Sequence, residues 1–404
     1  MKKVLEIGQQ SGDLTGNSDL VIQCAVDYLS NLGGGTVKIK EGVYEIGSSI
    51  HLRPNINLEG IPGKTILRKC DNVCSLLATE GDANERQLTL ASPDGFEPGH
   101  TVTVRFEGEN LGFLETVAVV TGKEGNVITI DRGLLQDYEI KDKRAVAERN
   151  FPVISGYHCE NNMIKGITID GNRAHNSLVD GCRNAGIYFF ESKNIVIENC
   201  TVERYNGDGI SYQVCGNVTV RNCVLAGNAG HGLHPGSGTT VTFISGCKSY
   251  ENGCDGIFVC WRVTKGMIED CISYKNDHNG LSIGHKDTNN IIRNNHFYEN
   301  RHSGMLFRNE IEPMGANYNL VENNTIANNG SEEYAGKTGC TFNYTGIRIC
   351  GCTHDLRFVK NKISNRNFQG RDTAGIVVEK EAYNNFFDDN IFEGCTREIA
   401  INRT

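Results

Sequence analysis

Side chains that can move protons or hold an anion are concentrated between residues 208 and 310. Histidine titrates nearest to neutral pH, so an accessible histidine is a candidate general base. Arginine and lysine can hold a carboxylate, and tryptophan can stack on a sugar ring. This region holds the only tryptophan, Trp261, and five of the eleven histidines at corresponding positions of a repeated pattern, namely His231, His234, His278, His285 and His302.

These residue types predict chemistry on an acidic sugar. A cation on the sugar carboxylate acidifies the proton on the adjacent carbon, and a base can then remove it, as β-elimination and epimerisation require. We predict that the catalytic residues are His231, His234, Asp255, Lys286, Asp287, Arg308 and Glu310. We predict that the substrate is contacted by Asp208, Tyr212, Trp261, Arg262, His285, Asn309 and His302.

The same region is part of a repeat of 23 or 24 residues. Short alternating segments such as NIVIENCTV and NVTVRNCVL recur in it, which predicts strands with one face inside. Two sets of positions repeat with this spacing. The first is a glycine followed by an apolar residue, at Gly186, Gly209, Gly232, Gly256, Gly280 and Gly304, with wider steps to Gly346 and Gly375. The second changes from cysteine to asparagine along the chain, at Cys200, Cys223, Cys247, Cys271, Asn295 and Asn324.

A unit this short cannot bury its own apolar face, whereas stacked units pair each strand with its equivalents about 4.8 Å above and below. The repeat therefore predicts an all-β parallel β-helix over residues 151–404, with the cysteines and asparagines as an internal ladder. Residues 1–79 are expected to form a capping helix and the first coils, with Val21, Ala25, Tyr28 and Leu29 on the buried helix face.

Residues 80–150 interrupt the repeat. The segments RQLTLASPDGFEPGHTVTVRF and LETVAVVTGKEGNVITIDRGL have the pattern of antiparallel hairpins, with GKEGN as a turn. We expect a small inserted β-subdomain here. Together with residues 311–345, it is expected to close the ends of a substrate groove and to favour short oligosaccharides.

Two stretches of the chain resemble a known superfamily. The coils from about residue 160 to 401, and the segment DLVIQCAVDYLSNLGGGTVKIKEGVYEIGSSIHLRPNINLEG, resemble the right-handed parallel β-helices of the pectate-lyase-like superfamily. The resemblance implies a right-handed solenoid and a carbohydrate partner. It does not select the reaction, because one fold carries many activities.

The segment GHGLHPGSG is similar to the Y-G-F-D-P-H-E motif of the alginate C5-epimerases of this superfamily. His231 stands where that motif has tyrosine, His234 where it has aspartate, and Gly236 where it has histidine. Cys260 lies near the place of a second aspartate on the next coil. The resemblance implies that the centre of the groove lies near His231 and His234, with a changed set of catalytic groups.

Two alternatives to a lyase or epimerase remain open. Glycoside hydrolysis or glycosyl transfer uses two carboxylates, and equivalent turns would place Asp287 and Glu310 about 5 Å apart, near the separation of a retaining pair. Asp208 and Asp255, two coils apart, would be about 10 Å apart, which is closer to an inverting pair. The remaining alternative is a glycan-binding β-helix without catalysis.

Composition limits the partners. A formal charge of −9 argues against a nucleic-acid partner, and no apolar run reaches the roughly 18–20 residues of a membrane helix. The start MKKVLEIGQQSGD lacks an apolar signal segment, so a cytoplasmic protein with reduced cysteines is expected. No cofactor is predicted. Calcium is compatible with the fold, but no dense cluster of outward aspartates requires it, and a homo-oligomer is neither required nor excluded.

Overall fold

The computed structural model of the protein describes residues 3–109 and 112–402, and three long parallel sheets dominate it. Each turn of the solenoid, called a coil here, contributes one short strand to each sheet. The first sheet carries the strands that begin near the repeated glycines: Ile50–His51, Ile154–Tyr157, Ala185–Phe190, Asp208–Gln213, Leu233–Gly236, Ile257–Val259, Leu281–Ile283, Met305–Phe307, Tyr344–Ile349, Thr373–Val378 and Arg397–Ile401.

The second and third sheets follow in chain order within each coil. The second sheet contains Val4–Gly8, Leu14–Thr15, Gly35–Ile39, Ile56–Glu59, Glu160–Lys165, Lys193–Glu198, Gly216–Arg221, Thr240–Ser245, Met267–Glu269, Ile291–Arg293, Leu320–Glu322, Arg357–Val359 and Phe386–Asp388. The third sheet contains Gly42–Ile46, Thr65–Lys69, Thr168–Asp170, Thr201–Glu203, Val224–Ala226, Lys248–Tyr250, Ile272–Tyr274, His296–Tyr298, Thr325–Ala327, Lys362–Ser364 and Ile391–Glu393.

The strand register is the one that the glycine spacing predicts. Ile210 lies beside Leu233, and Ile257 lies beside both Leu233 and Leu281 in parallel pairing. These apolar residues point inward and are buried, so they form one continuous core along the axis. The prediction of an all-β parallel β-helix is confirmed.

The repeated glycines are needed because neighbouring coils approach closely. A Cβ atom on Gly232 would lie 1.9 Å from Ser249 Oγ and 2.8 Å from the carbonyl oxygen of Gly256 on the next coil. A side chain there would force the coils apart. This contact explains the glycine that precedes each inward apolar residue.

The predicted internal ladder is also confirmed. Cys200, Cys223, Cys247 and Cys271 are buried, and the backbone N–H of Cys271 donates to Asn295 Oδ1 at 2.9 Å. Asn295 in turn donates through Nδ2 to Asn324 Oδ1 at 3.0 Å. Like side chains therefore satisfy one another's hydrogen bonds along the axis, and all sixteen cysteines of the chain are free thiols.

The N-terminal helix Asp19–Asn31 covers the first coils as expected, but its buried face differs from the predicted one. Tyr28 is 57 % exposed, so its assignment to the buried face was wrong. Ile22 and Val26 are buried there beside Ala25 and Leu29. The buried stripe is thus rotated by about one residue relative to the predicted stripe, and Tyr28 lies at its solvent edge.

The inserted segment forms a six-stranded antiparallel sheet with its own apolar core. Only the second predicted hairpin exists, because Thr116–Glu124 pairs with Val127–Ile130. The first was wrong, since Gln87–Thr89 pairs with Val127–Ile130 and Thr101–Phe106 pairs elsewhere in the sheet. The six strands are Cys74–Leu76, Gln87–Thr89, Thr101–Phe106, Thr116–Glu124, Val127–Ile130 and Ala145–Glu148.

Four short helical segments complete the structure. They are the α-helix Tyr334–Thr338 and the 3-10 turns Gly112–Leu114, Arg173–His175 and Arg366–Phe368. Within residues 3–109 and 112–402, the chain contains no helix that is both long and apolar enough to cross a membrane.

Candidate functional site

An open cleft of about 670 Å³ lies on the outward face of the first sheet. Strand alternation creates this face, because the residue after each inward apolar residue points outward. The outward row runs in register through His234, Ser211 and Tyr188 towards the N-terminus, and through Phe258, Ser282, Leu306, Arg348 and Val377 towards the C-terminus. The cleft is lined by Asn279, His302, Leu306, Arg308, Asn309, Glu310, Tyr334, Thr338, Arg348, Cys350, Gly351, Glu379, Lys380 and Glu381.

Arg308 is held rigidly at the floor of the cleft. Its Nη1 donates to Ser282 Oγ at 3.0 Å and its Nη2 to the carbonyl oxygen of Val259 at 2.8 Å. The guanidinium lies 4.6 Å from the centre of the Phe258 ring. Its Nε is buried and has no hydrogen-bond partner in the part of the chain that the structure describes. A planar cation fixed in this way is suited to hold a carboxylate.

His231 packs on the same phenylalanine. The two rings are stacked with centres 4.1 Å apart and planes within 4°. Nδ1 of His231 accepts the backbone N–H of Asp255 at 3.1 Å and lies 3.5 Å from Asp255 Oδ2. Burial lowers the pKa of His231 below its usual 6.5, although Asp208 and Asp255 oppose this. The imidazole is therefore neutral at pH 7, which is the form that a general base requires.

Asp208 and His234 form a buried pair beside His231. His234 Nδ1 lies 2.7 Å from Asp208 Oδ2, and both side chains are at most 4 % exposed. Burial opposes the charged form of His234, yet the hydrogen bond to Asp208 and the neighbouring Cys260 thiol outweigh it and raise the pKa of His234 to about 10. Burial alone would raise the pKa of Asp208, but His231 and His234 lower it. His234 is thus a fixed cation, not a base.

Nε2 of His234 is comparable to Nε of Arg308, because both are buried nitrogens that face the site. Its Nε2 is buried and has no well-aligned hydrogen-bond partner among residues 3–109 and 112–402. A protonated Nε2 is a donor, and besides Asp208 the His234 imidazole meets only the weakly accepting side chain of Cys260. Arg308 Nε has no acceptor in the described chain. Buried donors of this kind are costly unless an acceptor satisfies them, which a bound anion would do.

Glu310 lines the cleft next to a pair of stacked rings. Its carboxylate lies 2.8 Å from His285 Nδ1, and His285 stacks on Trp261 with ring centres 4.9 Å apart. Burial raises the pKa of Glu310, against the influence of Arg308. Trp261 is 43 % exposed and is available as a platform beside the cleft.

Two further predicted site residues, besides Asp208 and His234, are buried and do not line the cleft. Tyr212 points into the solenoid with Ile210, is fully buried and shares a hydrogen bond with Thr242 Oγ1, so its assignment as a substrate contact was wrong. Asp287 is also fully buried, and it accepts the backbone N–H groups of Val263 and Gly284. Its Oδ2 also accepts from Arg308 Nη2 at 3.3 Å. Asp287 therefore holds the turn and the Arg308 guanidinium, and it does not face the cleft with Glu310 as the predicted catalytic pair requires.

The remaining predicted residues surround the cleft to different degrees. His302 and Asn309 line it, and Asp255 reaches it indirectly because Asn279, a lining residue, donates to Asp255 Oδ1. Arg262 is exposed and Lys286 half-buried on neighbouring turns, and neither lines the cleft. Burial lowers the pKa of His302 to about 4, and the adjacent His278 adds to the effect.

Arg348 and Glu379 are cleft residues that the sequence did not single out. Arg348 Nε donates to Glu379 Oε1 at 2.9 Å, and Arg348 Nη1 donates to the carbonyl oxygen of Thr338. Both occupy outward positions after the glycines Gly346 and Gly375, so the signal was the same alternation that placed Arg308. The wider spacing of these last coils made that alternation harder to recognise in the sequence.

The structure offers no ready metal site in the described ranges, because no three histidine, cysteine, aspartate or glutamate side chains there are grouped as a metal would require.

Comparisons with known proteins agree with the fold. The family model described as "Right handed beta helix region" matches residues 138–247 and 236–403. The A-modules of the mannuronan C-5 epimerases AlgE4 and AlgE6 from Azotobacter vinelandii superpose with TM-scores of 0.60 at 16 % and 17 % identity. The alignments cover 94 % of this chain and 92 % of the AlgE4 module, and 96 % and 94 % for AlgE6.

A more distant likeness is to ORF18 of Geobacillus virus E2, with a TM-score of 0.53, 11 % identity and coverage of 95 % of this chain and 57 % of that one. The comparison with curated proteins gives no significant match. At these identities the structural likeness concerns the fold alone.

Proposed function

The chain belongs to the right-handed β-helix family, and on that premise we propose that it is a carbohydrate-active enzyme that removes the proton beside the carboxylate of a uronate-containing oligo- or polysaccharide. Proton removal can lead to two outcomes. In a lyase the neighbouring glycosidic C–O bond breaks and an unsaturated sugar forms. In an epimerase a proton returns to the same carbon from the opposite face.

One arrangement carries this proposal: Arg308 and His231 both pack on the ring of Phe258. The reaction needs a cation on the carboxylate to stabilise the charge that develops, and a neutral base within reach of the adjacent proton. Arg308 supplies the cation and has a buried Nε without an acceptor in the described chain. His231 supplies a base that is neutral at pH 7.

Asp255 can hold either tautomer of His231, and the change from one to the other exchanges the backbone N–H of Asp255 for its carboxylate as the partner of Nδ1. When Nδ1 accepts the backbone N–H of Asp255, Nε2 carries the ring hydrogen and can donate. When Nδ1 carries the hydrogen, it faces Asp255 Oδ2, and Nε2 is free to accept a proton from the substrate. The second form is the catalytic one in this proposal. The carboxylate of Asp255 then stabilises the imidazolium that results.

The buried Asp208–His234 pair contributes positive charge. His234 is protonated at neutral pH and lies beside His231, with ring centres 5.6 Å apart. A fixed cation there favours anionic substrate and the neutral form of His231. The two mannuronan C-5 epimerase modules share this fold, and the reaction proposed here is of the class that their names give, with histidines in place of the groups that the epimerase motif carries.

A glycoside hydrolase is the second candidate, and the raised pKa of Glu310 favours it. A general acid in glycoside hydrolysis must stay protonated near neutral pH, which burial promotes. Since Asp287 is buried in its turn, the pair would be completed by one of the other two carboxylates that line the cleft, Glu379 or Glu381. A glycan-binding protein without catalysis is the third outcome of the test below.

A product assay separates these functions. The protein is incubated with neutral and uronate-containing oligosaccharides, and ultraviolet absorbance and reducing ends are followed together. We expect both to rise with a uronate substrate, or, for an epimerase, the C5 configuration to change with neither rising. Reducing ends without absorbance would overturn the proposal in favour of hydrolysis, and binding without any chemical change would overturn it in favour of a binding protein.

A further inference from the structure

The outward row of the first sheet is open only over its middle. Phe258 and Leu306 are half-buried, and Leu306 lines the cleft, while Ser282 between them is covered by Arg308. Tyr188 and Ser211 at one end and Val377 at the other are fully buried although they also point outward. Outward residues of a solenoid are buried only where another part of the chain covers them. Both ends of the groove are therefore walled.

The wall at the N-terminal end is the segment 177–184. The carbonyl oxygen of Gly181 accepts the Ser211 hydroxyl at 2.6 Å, and that of Cys182 accepts the Tyr188 hydroxyl at 2.7 Å. A Cβ atom on Gly181 would lie 1.7 Å from Asp208 Oδ2, so the segment rests directly on the Asp208–His234 pair. No room for a sugar remains above these coils.

This wall is anchored to the inserted sheet by Arg183. Its Nε and Nη2 both donate to the carbonyl oxygen of Phe113, at 3.1 and 2.9 Å. Its guanidinium also lies 5.0 Å from the Phe113 ring and 5.1 Å from the Phe190 ring. The insertion thus supports the wall, and a chain cannot pass beneath it without breaking these contacts.

The wall at the C-terminal end is the segment 334–342. Tyr334, Cys340 and Phe342 pack on Ala374 and Val377 of the next coil and bury them. The carbonyl oxygen of Thr338 accepts Arg348 Nη1, which ties the wall to the cleft floor. The helix Tyr334–Thr338 therefore forms both the end and one side of the cleft.

From these walls we infer that the cleft binds the terminal units of a glycan chain or short oligosaccharides, and excludes the interior of a long polymer. The inference rests on the proposed function. The open row from Phe258 to Arg348 spans three coil steps, or about 14 Å. A site of this length, closed at its N-terminal end and bordered by the helix Tyr334–Thr338 near the other, where it continues only to Glu379, Lys380 and Glu381, accommodates only a few sugar units.

Binding stoichiometry tests the inference without turnover when the His231→Gln variant is used in place of the active protein. Uronate and neutral glycans, each fractionated by length from disaccharide to polymer, are titrated calorimetrically into this variant. If only chain ends bind, the number of sites per gram of glycan should vary in inverse proportion to chain length. A constant number of sites per gram would overturn the inference while leaving proton abstraction intact, and failure of every glycan to bind would overturn both proposals.

A variant of the wall provides an independent readout. Arg183→Ala removes the anchor on Phe113, so the preference for short over long chains should decrease severalfold. The matched control is Arg173→Ala, because Arg173 is an exposed arginine on the same excursion. Equal chain-length preference in the wild type, Arg183→Ala and Arg173→Ala would count against a wall at residues 177–184. Thermal unfolding checks that each variant is folded.

Discussion

Phe258 is the residue around which the site is arranged. The His231 ring stacks on it and the Arg308 guanidinium lies 4.6 Å from its centre. The His234 ring lies edge-on to it, with ring centres 4.9 Å apart. Phe258 has no proton to transfer, so its role is to hold two charged or titratable groups in fixed positions. Rigid placement of the cation and base is what makes them effective in catalysis.

Arg308→Lys tests the geometry of the cation and not only its charge. Lysine keeps the positive charge but cannot contact Ser282 Oγ, the Val259 carbonyl oxygen and a substrate carboxylate together, so kcat/KM should fall roughly a hundredfold. Steady-state kinetics on the uronate substrate measures the loss. Arg293→Lys is the matched control, since Arg293 pairs with Glu269 on the second sheet. Activity of Arg308→Lys equal to that of the control would exclude Arg308 as the clamp.

The pH dependence of activity tests His231 as the base. Because the pKa of His231 lies below 6.5, its neutral form predominates at and above pH 6.5. The neutral form is lost as the pH falls through the lowered pKa of His231. The kcat/KM profile should therefore have an acid limb with its midpoint below pH 6.5. His231→Gln should abolish most of the activity and leave no such limb. A wild-type midpoint clearly above pH 6.5 would be inconsistent with this base.

The buried side chain of Lys69 should make the free energy of unfolding depend on pH. Its ammonium is fully buried between Asn150 and Asn206, which accept from Nζ at 2.6 and 2.9 Å. Burial lowers the pKa of Lys69 from 10.5 to about 7. Between these values the unfolded chain binds more protons than the folded one, so this residue makes stability rise with pH.

Lys69→Met should remove that rise. Relative to the variant, the wild type should gain on the order of 3 kcal/mol of unfolding free energy between pH 7 and pH 9.5. Urea unfolding at several pH values measures it. Lys38→Met, a change at an exposed lysine, should leave the pH dependence unchanged. Parallel stability curves for the wild type and Lys69→Met would show that Lys69 keeps its charge on burial.

At the scale of elements, the coils are stabilised by side-chain ladders that run along the axis. Asn276 is fully buried, and its Oδ1 accepts both the backbone N–H and the Nδ2 of Asn252, while its Nδ2 donates to Asn300 Oδ1. Each asparagine therefore satisfies backbone groups at a turn that the strands leave unpaired. Equivalent ladders join neighbouring coils at two other turns, through Asn290 and Asn319 and through Asn295 and Asn324.

Asn276→Ala should interrupt this ladder. The loss leaves buried donors and acceptors of Asn252 and Asn300 without partners, so unfolding free energy should decrease by roughly 3 kcal/mol. Chemical denaturation measures the change. Asn367→Ala, at an exposed asparagine of the turn Arg366–Phe368, is the comparison and should cost little. Equal stability of the two variants would mean that the ladder is not a major source of stability.

The elements could be predicted from the sequence because their physical cause is periodic. Glycine spacing determines the register, and alternation determines which residues point inward. By the same alternation Tyr212 had to lie inside with Ile210, so its assignment to the substrate neglected the pattern. Tyr28 and the first hairpin were wrong for a different reason: helix-face rotation and antiparallel partners depend on contacts distant in sequence.

The site was only partly predictable. His231 and His234 flank Gly232, and Arg308 follows Gly304 three coils further on. The structure brings the three side chains together around Phe258. The burial of Asp287 could not be predicted, because a turn carboxylate that accepts backbone N–H groups has the same sequence pattern as an exposed one. Nor could the pairing of Arg348 with Glu379, which spans a step of irregular length.

At the scale of the whole molecule, a regular solenoid acquires a bounded site from its irregular parts. The capping helix covers one end of the core, and the inserted sheet supports the wall at residues 177–184. The segment 334–342 closes the other side. The repeats supply rigid spacing along the axis, whereas the departures from the repeat determine where a substrate can bind.

The central claim is that the protein abstracts the proton beside a uronate carboxylate. Deuterium exchange tests it most directly: the protein is incubated with uronate oligosaccharides in D₂O, and products are analysed by mass spectrometry and NMR. We predict an unsaturated product, or deuterium at C5, with wild type and neither with His231→Gln. Cleaved oligosaccharides with saturated ends and no deuterium at C5 would contradict the account.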